Sequence, residues 1–189
     1  MKVAFGFFVA ALTCSVMAQG NDPATGPHPA AQAAADVVAK AAGVEIAFLP
    51  AGALKTAAPG ADLSSLIQFP SDEIVVVKLQ GSEIKEALER SVANIPDSNS
   101  AFLQISGLLV TYSPTAQPGS RILEVKVGDN ALQPGKDYEV AMPASLGRGA
   151  LGYFKIWDKN RIVRQAGTSL GDALRGKTGS VSKPRYVQR

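Results

Sequence analysis

The chain has 189 residues, with 19 Lys and Arg against 16 Asp and Glu, a formal net charge of +3, one His and one Cys. So small an excess of positive charge is no electrostatic footprint for nucleic acid, and a single cysteine cannot close an internal disulfide. Residues 1–18 read as a signal peptide: Lys2 is the basic start, residues 3–16 are an apolar stretch, and Val16 and Ala18 sit at the −3 and −1 positions. Cleavage is expected after Ala18, with a secreted or periplasmic destination. The apolar stretch is shorter than the ~20 residues that span a bilayer, and no later segment is apolar enough to do so. An uncleaved anchor and a lipid attachment at Cys14 are the competing readings. Thr13 is larger than the residue that usually precedes a lipidated cysteine.

Residues 19–29, rich in Pro, Gly, Asn and Asp, read as an unstructured linker, with His28 exposed in it. Residues 30–42 are Ala-rich and helical, with Gly43 as the stop. A short strand over 44–49 ends at Pro50-Ala51-Gly52. Asp62 caps a helical turn over 62–67. Residues 74–79 form a strand. Ser82 opens a helix whose apolar positions Ile84, Leu88 and Val92 recur at helical spacing, and Pro96-Asp97-Ser98-Asn99 breaks it. Strands follow at 102–105, 108–112, 122–127 and 138–142, with turns at 114–119 and 128–130. Residues 168–174 form a last short helix, and 182–189 a solvated basic tail. Helices come early and strands late. The expected fold is therefore α+β: one domain over residues 30–181, a mixed β-sheet packed with helices.

Five motifs then stand in a recognisable order. They are Pro50-Ala51-Gly52-Ala53-Leu54-Lys55, Phe69-Pro70-Ser71-Asp72, Leu79-Gln80-Gly81-Ser82-Glu83-Ile84 running into Ala87-Leu88-Glu89, Phe102-Leu103-Gln104-Ile105-Ser106-Gly107, and Tyr138-Glu139-Val140-Ala141 followed by Gly149-Ala150-Leu151-Gly152-Tyr153. This order resembles the C-terminal domain of the 5′-nucleotidase and UDP-sugar hydrolase family, over roughly residues 30–181. The resemblance implies a domain that recognises the base and ribose of a nucleotide, with two aromatic rings sandwiching the base and arginines holding the phosphate or ribose end. It also implies that hydrolysis and the divalent metals belong to a separate N-terminal metallophosphatase domain, which has no counterpart in this sequence. The resemblance assigns no cofactor, metal ligand or catalytic residue to this chain.

The motifs depart from the family pattern where chemistry is concentrated. An Asn-Gly-Gly-x-Ile-Arg-like loop reads with Pro50 and Lys55 at its ends. A Pro-Phe-Gly-Asn-like turn reads Phe69-Pro70-Ser71-Asp72, with Pro and Phe exchanged. Ala144-Ser145-Leu146 stands where the second aromatic belongs, and Leu151 where the glycine loop carries Asp. The candidate ligand-binding residues are Lys55, Phe69, Asp72, Arg148 and Tyr153. Gly147, Gly149 and Gly152 are expected to permit positive φ in a loop rather than to cradle phosphate.

The sequence supports an exported, non-catalytic module that binds a nucleotide or nucleoside-like small molecule and works with a metallophosphatase on a separate chain. A structural or protein-interaction domain with a degenerate pocket is the alternative. A hydrolase acting alone is disfavoured. Residues 30–181 contain no His to activate Ser106 or Ser145, and no Gly-x-Ser-x-Gly elbow. No nucleic-acid partner is expected.

Overall fold

The computed structural model describes residues 22–55 and 60–189, so the residues of the expected signal peptide lie outside the description. Helix α1 (Pro29–Ala42) leads to β1 (Ile46–Pro50), β2 (Glu73–Gln80) and α2 (Gly81–Val92). Strands β3 (Leu103–Ser106), β4 (Leu108–Tyr112), β5 (Ile122–Val127), β6 (Asn130–Ala131) and β7 (Asp137–Pro143) follow. The short helix α3 (Ala144–Gly147), β8 (Ile162–Ser169), α4 (Leu170–Leu174) and β9 (Tyr186–Gln188) complete the order. Two mixed sheets form instead of one. The larger has the order β3-β1-β7-β2-β8, with β1 and β7 parallel and the other pairs antiparallel. The smaller is β6-β5-β4-β9, with β4 and β9 parallel. The α+β class and the single small domain agree with the sequence reading.

The β-branched run of β2 is continuous because the strand is buried on both faces. Val75, Val77 and Leu79 point into one core with Ile46 and Phe48 of β1 and with Ile84, Leu88 and Val92 of α2. Ile74 and Val76 point the other way, into a core with Ala47 and Leu49. There the alanines of α1, Ala31, Ala34, Ala35 and Ala39 among them, let the helix backbone approach the sheet closely. Gly43 ends α1 with φ 66° and donates its N–H to Ala39 and Lys40 carbonyls. Glu83 caps the start of α2 by accepting the Gln80 N–H at 2.7 Å.

Two expectations need correction. The described part of the expected linker, residues 22–28, is a folded turn docked on Gln104. The buried Gln104 amide donates to the carbonyls of Pro23 and Gly26 and accepts from the N–H of His28. A fully buried amide needs such partners, and the turn supplies them. His28 is half-buried and caps α1 by accepting from the Ala31 N–H at 3.2 Å. The basic tail is also ordered. β9 pairs with β4, Tyr186 is buried against Phe102 and Tyr112, and Arg185 donates to Asp36 at 2.6 Å and to the carbonyl of Gln32. Burial of the Tyr186 ring and pairing with β4 hold this segment on the fold.

Candidate functional site

Three chain segments meet at a cleft of about 500 Å³. Each is positioned by an element that the sequence makes regular. Past the end of β1, Ala51–Ala53 turns in a 3-10 helix whose Ala51 and Gly52 N–H groups donate to the carbonyls of Phe102 and Ser100. Pro50, Gly52 and Ala53 form this wall. Packing is tight at Gly52, where a Cβ would lie 3.2 Å from both the Ser100 carbonyl and the Leu151 side chain.

The second wall is the turn before β2. Asp72 donates its N–H to the Phe69 carbonyl at 3.1 Å, closing the turn. Its outer edge is held by the start of α4, where Leu170 and Gly171 donate to the carbonyls of Asp72 and Pro70. Phe69 keeps 52% of its surface exposed and lines the cleft beside Ser71 and Asp72. The exchange of Pro and Phe therefore leaves an aromatic ring on the cleft rim.

The third wall runs from α3 through the glycine loop, with Ser145, Leu146, Arg148, Ala150 and Leu151 on the cleft. Trp157 pins this segment from below by donating its indole N–H to the Leu146 carbonyl at 2.9 Å. The backbone takes left-handed φ at Gly149 (91°), Leu151 (56°) and Gly152 (82°). Leu151 pays the usual steric cost of that region, and Arg90 of α2 holds it there by donating to its carbonyl. Gly147 differs from the other two loop glycines. It is helical, and close packing is its reason, since a Cβ would sit 2.8 Å from Val75.

Of the five sequence candidates, the cleft gathers Phe69, Asp72 and Arg148. Lys55 is exposed and does not line the cleft. Tyr153 is a core residue and not a site wall. The left-handed pair Leu151-Gly152 turns it inward, where it is fully buried, stacks on Trp157 with centroids 4.8 Å apart, and donates its hydroxyl to the Ala101 carbonyl at 2.6 Å. Burial pushes its phenol well above the usual range. Sequence reasoning missed Arg90. It is an ordinary helix residue by pattern, and only the fold brings it to a loop 61 residues away.

The cleft offers a ring face, an acceptor and a donor. Phe69 offers a ring face, Asp72 a carboxylate that only accepts hydrogen bonds, and Arg148 an exposed guanidinium that only donates. Asp72 is half-buried and receives the Ser145 N–H at 3.4 Å, a long bond that leaves its acceptor capacity largely unspent. Among the described residues, neither Asp72 nor Arg148 forms an ion pair, and no cluster of three His, Cys, Asp or Glu side chains is arranged to hold a metal. No helix among the described residues is long and apolar enough to cross a membrane.

Comparisons with known proteins agree with this architecture. The family described as 5′-nucleotidase, C-terminal domain, matches residues 10–157. A 5′-nucleotidase-related protein of Glossina morsitans morsitans is 33% identical over 142 residues, covering 68% of this chain and 25% of that protein. The trifunctional nucleotide phosphoesterase protein YfkN of Bacillus subtilis is 32% identical over 124 residues, covering 60% of this chain and 8% of that protein. The chain thus spans a quarter or less of these relatives. The fold matches the crystal structure of a 5′-nucleotidase precursor from Thermus thermophilus with a TM-score of 0.74 at 21% identity, over 90% of this chain and 37% of that one. By the extent of the family match and the order of its elements, this chain belongs to the 5′-nucleotidase C-terminal domain family.

Proposed function

We propose that this chain is an exported recognition module that holds a nucleotide or nucleoside-like molecule, and that hydrolysis is carried by a metallophosphatase on another polypeptide. The observation that carries this reading is the convergence of Phe69, Asp72 and Arg148 on one cleft, from two motifs more than 70 residues apart in the chain. A flat heterocycle stacks on Phe69, its polar edge meets Asp72, and Arg148 attracts an anionic end. Lys2 and the apolar residues 3–16 support export. No residue of the cleft is assigned a catalytic role. The phosphomonoester chemistry of the family, with its divalent metals, is placed on the partner.

Calorimetric titration with nucleosides, nucleotides and UDP-sugars tests the reading. Saturable binding that Phe69→Ala weakens supports it, and the absence of heat with every ligand overturns it. A protein-interaction role with a degenerate pocket is the second reading. Ser145 and Leu151 favour it, since one stands on the cleft where the family's second ring is expected and the other makes the loop apolar.

A further inference from the structure

Resting on the recognition reading above, we infer that Asp72 makes the cleft selective for heterocycles that present two adjacent hydrogen-bond donors on one edge, as guanine does. Phe69 and Asp72 belong to the same turn, closed by the Asp72 N–H to Phe69 carbonyl bond, and both line the cleft. A molecule stacked on Phe69 therefore brings one edge to Asp72. The carboxylate has two acceptor oxygens and no donor. Its bonds from Ser145 are 3.4 Å long, and it forms no ion pair among the described residues, so strong acceptor sites remain for a ligand.

The common bases differ on this point. Guanine offers a ring N–H beside an exocyclic amine, which matches a carboxylate with two parallel bonds. Adenine and cytosine place an acceptor nitrogen beside their amine, and uracil flanks its single N–H with two carbonyls. Each of these sets a lone pair against a carboxylate oxygen, which is repulsive and leaves buried groups unpaired. The cleft, lined by Ser145 and Ala150 as well as by Leu146, Arg148 and Leu151, has a volume of about 500 Å³, enough for a bicyclic ring.

Calorimetry on the full chain with guanosine, inosine, adenosine and cytidine tests this. Guanosine is expected to bind at least about tenfold more tightly than adenosine or cytidine, the discrimination of one good bidentate pair. Inosine, which lacks the amine, is expected to fall between them. Asp72→Asn preserves shape and can still accept from Ser145, and it is expected to remove the preference for guanosine. Equal affinity for the four nucleosides, or a preference unchanged in Asp72→Asn, would overturn the selectivity while leaving the recognition reading standing. No binding of any nucleoside would overturn the recognition reading itself. The inosine comparison needs only the unaltered protein, so it decides the matter even if the Asn variant folds poorly.

Discussion

Arg90 on α2 donates its Nε to the main-chain carbonyl of Leu151 at 3.0 Å, tying the helix to the loop that lines the cleft. The same guanidinium lies 5.4 Å from the centroid of the Tyr153 ring. It also fills the space beside Gly152, where a Cβ would come within 2.1 Å of an Arg90 terminal nitrogen. One side chain thus holds a left-handed leucine, a buried tyrosine and a glycine in register.

This arrangement predicts a coupled pair of substitutions. Arg90→Ala is expected to cost about 2–3 kcal/mol, because charged hydrogen bonds are lost and a half-buried carbonyl is left unpaired. Gly152→Ala is expected to cost more than about 1 kcal/mol in the unaltered protein, from its positive φ and the clash with Arg90. In the Arg90→Ala background the clash is gone and only the backbone strain remains. Urea denaturation of the four proteins checks this. Additive costs would show that Arg90 and Gly152 do not interact as described.

Tyr153 separates a core role from a ligand role. Tyr153→Phe removes the hydroxyl that donates to Ala101 and is expected to lower stability by about 1 kcal/mol. It is expected to leave ligand affinity unchanged, because the ring is fully buried and does not line the cleft. An affinity loss without a stability loss would return Tyr153 to the binding site.

His28 gives the fold a pH dependence of known sign. Burial holds its pKa below the ordinary 6.5, only partly offset by Asp22. Its Nδ1 must be unprotonated to accept from Ala31. Between the lowered folded value and 6.5 the unfolded chain binds more protons, so stability is complete above 6.5 and falls as the pH drops below it. Because the chain has one histidine, Asn at this position, which caps without titrating, is expected to flatten the slope between pH 7.5 and 5.5. Thermal melts across that range measure it, and a slope unchanged in His28→Asn would contradict the assignment.

Much of the fold was legible because its signals are local. The β-branched run before Lys78 and the spacing of Ile84, Leu88 and Val92 give β2 and α2 without tertiary knowledge. β8 was not legible. Its sequence mixes Arg164, Gln165 and Gly167, and it is an irregular edge strand whose register against β2 shifts twice. β9 and the turn at 22–28 were hidden for another reason. Their order comes from partners far along the chain, Tyr112 and Gln104, so polar composition alone misread both. Phe69, Asp72 and Arg148, which the motifs single out, line one cleft. The motifs failed at Tyr153, because two left-handed residues reverse which side of the loop it faces.

The central claim is that the cleft of Phe69, Asp72 and Arg148 is a working recognition site. Calorimetric titration of the full chain with a nucleoside and nucleotide panel, repeated on Phe69→Ala, tests it most directly. The account predicts saturable heat with at least one of these ligands. It also predicts an affinity loss of roughly 5- to 150-fold in Phe69→Ala, the worth of about 1–3 kcal/mol for one base stacked on one ring. Heat with none of them, or an affinity indifferent to Phe69, would contradict it.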